Sequence, residues 1–167
     1  MSLNPQAQAP KPHTVTHATF VIERQFDCSR ERAFAALADP VVKRRWFVGP
    51  GAWDTATPHE LDFREGGHER VAGGPPGGPI HHYDATYVEI VPNERIVTTY
   101  QMHMDTTRIS VSLATFEFKA GANGGTVMTY TEHGAYLDGW DYPAQREEGT
   151  KQLFNQLEAE LAAEPAI

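Results

Sequence analysis

Residues 26–47 read FDCSRERAFAALADPVVKRRWF, and this stretch decides how the fold begins. It follows a segment from Val15 in which apolar and polar residues alternate, a pattern typical of a β-strand. Ser29 is a suitable N-cap for a first short helix, and Asp39-Pro40 supplies the cap and first-turn proline of a second. A later segment, Arg64-Glu65-Gly66-Gly67, indicates a strand that runs into a tight turn. The pattern therefore predicts a strand, two short helices and a second strand.

The middle of the chain is predicted to form further strands joined by short turns. The predicted strands are 59–65, 68–72, 80–91, 95–105, 108–119 and 126–133. Connections this short favour antiparallel neighbours. Residues 73–79 are seven consecutive glycines and prolines, which cannot hold ladder hydrogen bonds, so we expect a mobile hairpin tip there.

One long helix is predicted from Pro143 to about Ala163, where Pro165 ends it. Leucines and a phenylalanine three and four residues apart form a stripe that should face the sheet. Gly149 lies inside this helix at a cost of about 1 kcal/mol relative to alanine. We therefore expect either a close approach to the backbone at Gly149 or a helix that begins later.

Composition excludes several classes of function. The formal net charge is −8, and no basic run is present, so we expect no nucleic-acid partner. No apolar run approaches the roughly 20 residues of a membrane span, so we expect no membrane partner. Residues 1–13 are polar and rich in proline, which indicates a flexible tail and not a signal peptide. The single cysteine, Cys28, suits a cytoplasmic protein.

With these elements in order, the chain resembles the activator of heat-shock protein 90 ATPase homologue family, within the START/polyketide-cyclase-like superfamily. The resemblance covers about residues 14–163. It rests on Arg24-Gln25-Phe26, on Asp39-Pro40 with Arg45-Trp46-Phe47, on Arg64-Glu65-Gly66-Gly67, on the run from Tyr87 to Val97, on Gly125-Thr126-Val127-Met128-Thr129 and on the last helix.

This resemblance implies an α+β helix-grip fold, in which a curved antiparallel sheet wraps around a long C-terminal helix and two short helices follow the first strand. It also implies a cavity suited to an apolar small molecule. We therefore expect one domain over residues 14–163, with tails at 1–13 and 164–167. Many relatives have Gly-Trp in the last helix, whereas Gly149 is followed here by Thr150, which predicts a wider cavity. The eukaryotic co-chaperones carry an additional N-terminal domain that binds the chaperone, and within these 167 residues we expect no such domain.

The candidate ligand-binding residues are aromatic, apolar and a few polar side chains on the predicted cavity walls. An arginine within an apolar strand could anchor a ligand carboxylate, or could form an internal salt bridge. A glutamate on a concave strand face could act as an acid or base, or could pair with an arginine. The candidates are Trp46, Phe47, Trp53, Phe63, Tyr87, Tyr100, Arg24, Arg64, Tyr130, Glu132, Trp140, Gly149, Thr150, Leu153, Phe154 and Leu157.

No metal site and no cofactor are predicted. The adjacent pair His81-His82 would point to opposite faces of a strand, and the other histidines lack ligand spacing. The glycines at 73–78 are interrupted by prolines and do not match a phosphate-binding loop.

The function predicted from the sequence is the binding of a small apolar or amphipathic molecule. Two alternatives remain open at this stage. One is an enzyme of cyclase, dehydratase or hydrolase type that uses polar residues of the pocket. The other is a co-chaperone-like interaction module with a chaperone as its partner.

Overall fold

The computed structural model describes residues 11–48 and 53–163. An eight-stranded antiparallel sheet curves around a long C-terminal helix, which confirms the predicted α+β helix-grip fold. Seven strands follow the order β1-β8-β7-β6-β5-β4-β2, and β3 pairs with β4. The elements are β1 (Val15–Phe26), α1 (Arg30–Ala38), α2 (Pro40–Phe47), β2 (Asp54–Thr55), β3 (Glu60–Leu61), β4 (His68–Gly74), β5 (His81–Val91), β6 (Arg95–Met104), β7 (Thr107–Ala120), β8 (Thr126–Leu137) and α3 (Pro143–Ala162).

Both short helices begin at the residues that the sequence predicts. The Ser29 hydroxyl accepts a hydrogen bond from the backbone N–H of Arg32 at 3.2 Å. The Asp39 carboxylate accepts one from Val41 at 2.8 Å, and Pro40 occupies the first turn of α2. Most of the predicted tails and Pro165 lie outside the described residues, as does Gly49-Pro50-Gly51, which by its composition is expected to end the second helix.

The strand predicted at 59–65 is wrong in its length, because only Glu60–Leu61 pairs with β4. Beyond it the backbone turns: Arg64 donates to the carbonyl of Asp62 at 3.0 Å, and Gly67 donates to that of Arg64 at 2.8 Å. Gly66 has a φ of 80°, which glycine adopts without strain. The Gly-Gly turn therefore begins earlier than the alternation suggests.

The prediction that glycines 73 and 74 belong to an unpaired hairpin tip is also wrong. Both end strand β4 and pair with Thr55 and Asp54 of β2. A Cβ atom at Gly73 would lie 2.8 Å from the backbone oxygen of Asp54, and one at Gly74 would collide with the carbonyl of Pro79. Glycine thus permits a close approach of chains here, and the turn itself is confined to residues 75–78.

Helix α3 closes the concave side of the sheet with Phe154, Leu157 and Leu161, which are all buried. Both expectations for Gly149 are wrong. The helix begins at Pro143, and a Cβ atom at Gly149 would meet no neighbouring atom within 4 Å. The glycine therefore faces open space, and the close approach that would have explained it is not there.

Replacing Leu157 with alanine is expected to lower the free energy of unfolding by about 2–5 kcal/mol, the usual range for a core leucine. Leu157 has 0 % of its surface exposed, so the truncation leaves a cavity in the core of the domain. Denaturant titration measures the change. A loss below about 1 kcal/mol would mean that α3 does not dock on the sheet through this residue.

Candidate functional site: a cavity between the sheet and the last helix

A cavity of about 860 Å³ lies between the concave face of the sheet and helix α3. Its wall combines side chains of strands β4 to β8 with residues of α2 and α3, because every second residue of these strands points to the concave side. Eleven of the candidate residues line it. They are Trp46, Phe47, Trp53, Tyr87, Tyr100, Tyr130, Trp140, Gly149, Thr150, Leu153 and Phe154.

Five candidate residues lie outside the cavity wall. Arg24 fixes β1 to α3, donating to the Asn155 side chain at 2.7 Å and to the Lys151 carbonyl at 3.2 Å. Arg64 is exposed and pairs with Asp62 at 2.8 Å. Arg24 also pairs with Glu158 at 3.3 Å, so both arginines form ion pairs, the second of the two alternatives open from the sequence. The other three are Phe63, Leu157 and Glu132. Phe63 packs against Phe34 and Tyr87. Leu157 is buried in the core, and Glu132 lies behind the cavity wall.

A buried polar cluster, here called the Glu69 cluster, stands at the β4–β5 side of the cavity. Glu69 is 1 % exposed and accepts from Lys43 Nζ at 2.7 Å, from His59 Nε2 at 2.8 Å and from the Tyr87 hydroxyl at 3.2 Å. Since an ionised carboxylate only accepts, Nε2 of His59 carries the proton. Its other ring nitrogen, Nδ1, is buried without a partner among the described residues.

The electrostatics of this cluster keep Glu69 ionised and Tyr87 protonated. Burial by itself would raise the pKa of Glu69, but the neighbouring Lys43 charge and the His59 hydrogen bond outweigh it and hold that pKa below its usual value. Burial, followed by the Glu69 charge, moves the pKa of Tyr87 upward. The Glu69 cluster is thus a buried Lys43–Glu69 ion pair, to which the Tyr87 hydroxyl donates a hydrogen bond.

A second buried cluster, the Glu132 cluster, stands at the β7–β8 side. Glu132 is 0 % exposed and accepts from the hydroxyls of Tyr100 at 2.6 Å, Tyr130 at 2.5 Å and Ser112 at 3.3 Å. Burial is the main cause that raises the pKa values of both tyrosines, so both remain donors. Arg146 approaches Glu132 to 3.8 Å. The two tyrosines line the cavity and screen the carboxyl group behind them.

Arg146 connects helix α3 to this cluster and to the loop before the helix. Its guanidinium donates to Asp141 at 2.6 Å, to Ser110 at 2.7 Å and to the Tyr100 hydroxyl at 2.9 Å. It also lies 5.5 Å from the ring centre of Tyr136. Burial opposes the charge of Arg146, but Tyr100 and the carboxylates more than compensate, and its pKa is raised. Arg146 is therefore a fully paired cation in the cavity wall.

Tyr83 lies between the two clusters and differs from the other cavity tyrosines. Its ring contacts Phe47 at 5.2 Å and Tyr100 at 5.0 Å between centroids. Its hydroxyl makes no hydrogen bond to any described residue, whereas those of Tyr87, Tyr100 and Tyr130 all donate to a carboxylate. Burial, followed by the charge of Glu69, raises its pKa well above the usual value, so it keeps its proton.

The mouth of the cavity is aromatic and acidic. Trp53 stacks on His81 with 4.9 Å between ring centres, and Trp140 is 52 % exposed. Asp54 and Glu148 are exposed and line the same opening. Burial, more than any charge, lowers the pKa of His81, so its imidazole is neutral at pH 7.

Four charged residues of the interior wall are absent from the candidates named from the sequence, although the sequence carries a signal for two of them. Glu69 shares a strand face with the apolar Val71, and Arg146 falls on the helical stripe that continues through Leu153. A charged residue on an apolar face indicates burial with a partner. The partner itself cannot be read from spacing, because the ion pairs join residues distant in sequence. The four are Lys43, Glu69, Asp141 and Arg146.

The described residues contain no group of three or more histidine, cysteine, aspartate or glutamate side chains placed to hold a metal ion. Within the same residues, no helix is long and apolar enough to cross a membrane.

The sequence model of the family described as "Activator of Hsp90 ATPase homolog 1-like protein" matches residues 27–164. The chain therefore belongs to this family. No curated protein matches it significantly.

Several solved structures share the fold. An uncharacterized protein from Rhizobium leguminosarum is 42% identical, with 92% of this chain and 99% of that chain covered and a TM-score of 0.86. A protein from Rhizobium loti is 41% identical, with 88% and 99% covered and a TM-score of 0.80. A protein from Chromobacterium violaceum, 22% identical with 87% and 99% covered and a TM-score of 0.73, shows the fold alone.

Proposed function

We propose that this member of the family binds an apolar or amphipathic small molecule in the cavity between the sheet and α3. The observation that supports the proposal is the cavity itself, about 860 Å³ and walled mainly by aromatic and aliphatic side chains. Ligand sites commonly measure about 300–1,000 Å³ and combine an apolar wall with a few fixed polar groups. The two buried clusters would supply those polar groups.

Ionisation favours binding over the enzymatic alternative. A general acid or base works best with a pKa near the operating pH. The pKa shifts in the cavity move these groups away from neutral pH: the pKa of Glu69 is lowered, and the pKa values of Tyr83 and Tyr87 are raised. These groups are therefore fixed donors and acceptors at neutral pH, which suits recognition of a ligand.

The outer face of the sheet gives less support to a chaperone-binding role. Val21, Val111 and Leu113 are exposed there. Across the ladder, however, Val21 lies opposite Thr131 and Leu113 opposite His133. Polar side chains thus interrupt the apolar ones, and a contiguous apolar patch is the usual mark of a docking surface. A cytoplasmic location and a chaperone partner remain predictions from sequence.

Replacing Thr150 with tryptophan is expected to weaken the binding of an apolar fluorescent dye and to leave the fold intact. Thr150 lines the cavity, and Gly149 beside it leaves the space open. An indole can enter empty space without the strain that overpacking a filled core causes. Dye affinity and thermal midpoint are measured on the same variant.

The matched control is Ala159→Trp, which adds the same ring at an exposed position of α3 outside the cavity. The control should bind dye as the wild type does. Equal dye affinity for the Thr150 variant and the wild type would remove the cavity as the binding site. A destabilisation of about 1–3 kcal/mol would show instead that the space is already filled. Native mass spectrometry of protein from its own host would then search for a retained molecule.

A further inference from the structure

The cavity presents cations and carboxyl groups to its interior, but each is already paired. Lys43 contacts Glu69 at 2.7 Å, and Arg146 contacts Asp141 at 2.6 Å. Glu132 accepts from three hydroxyls and lies behind the wall. The described interior of the cavity therefore holds two cations paired with two carboxylates, and none of the four is free for a charged ligand.

Two features of the cavity disfavour the binding of a ligand carboxylate. At the mouth it would pass Asp54 and Glu148, and no lysine or arginine of the described wall lies there to offset them. Inside, it would have to displace a carboxylate from Lys43 or Arg146, and an ion buried without a partner carries a desolvation cost of several kcal/mol. A ligand ammonium would meet the same desolvation cost, because Glu69 and Asp141 are already occupied by cations.

Among the four described tyrosines of the cavity wall, Tyr83 alone has a hydroxyl that donates to no described carboxylate. The Tyr83 hydroxyl makes no hydrogen bond to a described residue, and it keeps its proton, so it can donate. Its ring is held between Phe47 and Tyr100, which fixes the direction of the phenol. Tyr83 is partly buried and lines the cavity. A ligand that displaces water there is favoured if it supplies an acceptor for this hydroxyl, since leaving the donor unpaired would cost free energy.

Resting on the proposed function, we infer that the ligand is an uncharged, largely apolar molecule whose carbonyl, ether or hydroxyl oxygen accepts a hydrogen bond from Tyr83. The ion pairs on either side serve to neutralise the cavity and to position its tyrosines. Selectivity for the neutral form of a ligand then follows because each charged group in the described interior of the cavity is already paired.

The test uses probes that share one naphthalene frame and differ only in the polar group. These are 2-naphthalenemethanol, 2-naphthoate, 2-naphthylmethylammonium, 2-acetonaphthone and 2-ethylnaphthalene, titrated at pH 7 by fluorescence. The alcohol and the ketone are expected to bind at least about tenfold more tightly than the carboxylate and the ammonium. Tenfold corresponds to about 1.4 kcal/mol, a fraction of the desolvation cost of one unpaired buried charge.

Tyr83 is tested by Tyr83→Phe with the ketone and the hydrocarbon. The ketone should lose about three- to tenfold in affinity, the effect of one neutral hydrogen bond, and 2-ethylnaphthalene should lose none. The Asp141→Asn variant should bind the carboxylate probe more tightly than the wild type does, because it leaves Arg146 without its shortest carboxylate partner. The difference in affinity between 2-naphthoate and 2-naphthalenemethanol should therefore become smaller. Thermal midpoints confirm that both variants fold.

The outcomes separate the inference from the proposed function. Carboxylate or ammonium binding as tight as that of the alcohol would overturn the inference and leave the binding function standing. Equal loss of ketone and hydrocarbon in Tyr83→Phe would overturn the assignment of Tyr83 as the donor. If none of the neutral probes binds, the binding function itself fails and the inference falls with it.

Discussion

Replacing Glu69 with glutamine is expected to lower the free energy of unfolding by about 3–5 kcal/mol, because it leaves a buried cation without its partner. Lys43 is 5 % exposed and has its shortest contact, 2.7 Å, with Glu69. The change also removes the charge that holds the His59 ring, whose Nδ1 has no partner among the described residues. Urea titration followed by fluorescence measures the loss.

Two controls separate the buried pair from a general effect of the substitution. Lys43→Met combined with Glu69→Gln removes both charges and should recover part of the stability, since no unpaired ion remains. Glu89→Gln breaks the exposed pair with Arg95, at 2.7 Å, and should leave the unfolding midpoint near that of the wild type. A double variant that is less stable than Glu69→Gln alone would contradict the account.

The same carboxylate makes stability depend on pH in the acid range. The pKa of Glu69 is lower in the folded protein than in the unfolded chain, where a glutamate has a pKa of about 4.3. Its contribution is therefore fully present above that value and is lost as the pH falls through the folded pKa. Between pH 5 and pH 3 the wild type should lose more stability than the Glu69→Gln variant does. If the stability of the two proteins fell in parallel with decreasing pH, Glu69 would be excluded as a source of the pH dependence.

The sequence predicts the fold well because local signals agree along the chain. The Ser29 and Asp39 caps, the alternating strands and the stripe at Phe154 and Leu157 each require only neighbouring residues to be interpreted. The errors occur where a tertiary contact overrides the local pattern. Gly73 looks like a turn residue, yet it pairs with Thr55 because β2 approaches too closely for a side chain.

The candidate site is harder to predict because its polar groups are paired across the fold. Lys43 and Glu69 are 26 residues apart, and Arg146 and Tyr100 are 46 apart. A composition rich in tyrosine and tryptophan indicates aromatic walls, but the register of β4 to β8 decides which hydroxyls meet a carboxylate. Tyr83 shows the limit: it resembles Tyr87 in sequence, and only the three-dimensional arrangement reveals that its hydroxyl bonds to no described residue.

Replacing Arg146 with methionine is expected to cost about 3–5 kcal/mol of unfolding free energy, since it leaves two carboxyl groups without their cation. The Glu132 side chain is 0 % exposed and that of Asp141 is 12 % exposed, so water solvates these two groups far less well than it solvates surface carboxylates. Methionine fills a similar volume, which limits any contribution from an empty space. The loss is therefore electrostatic in origin, and chemical denaturation measures it.

Two further variants test that origin. Arg146→Lys keeps the charge but not the planar fork that reaches Asp141, Ser110 and Tyr100 together, so it should fall between methionine and the wild type. Adding Asp141→Asn to Arg146→Met removes one of the two orphaned carboxylates and should restore part of the loss. If Arg146→Met cost less than about 1 kcal/mol, the arginine would behave as an exposed residue does. The cavity would then lack the neutralised wall from which selectivity for an uncharged ligand follows.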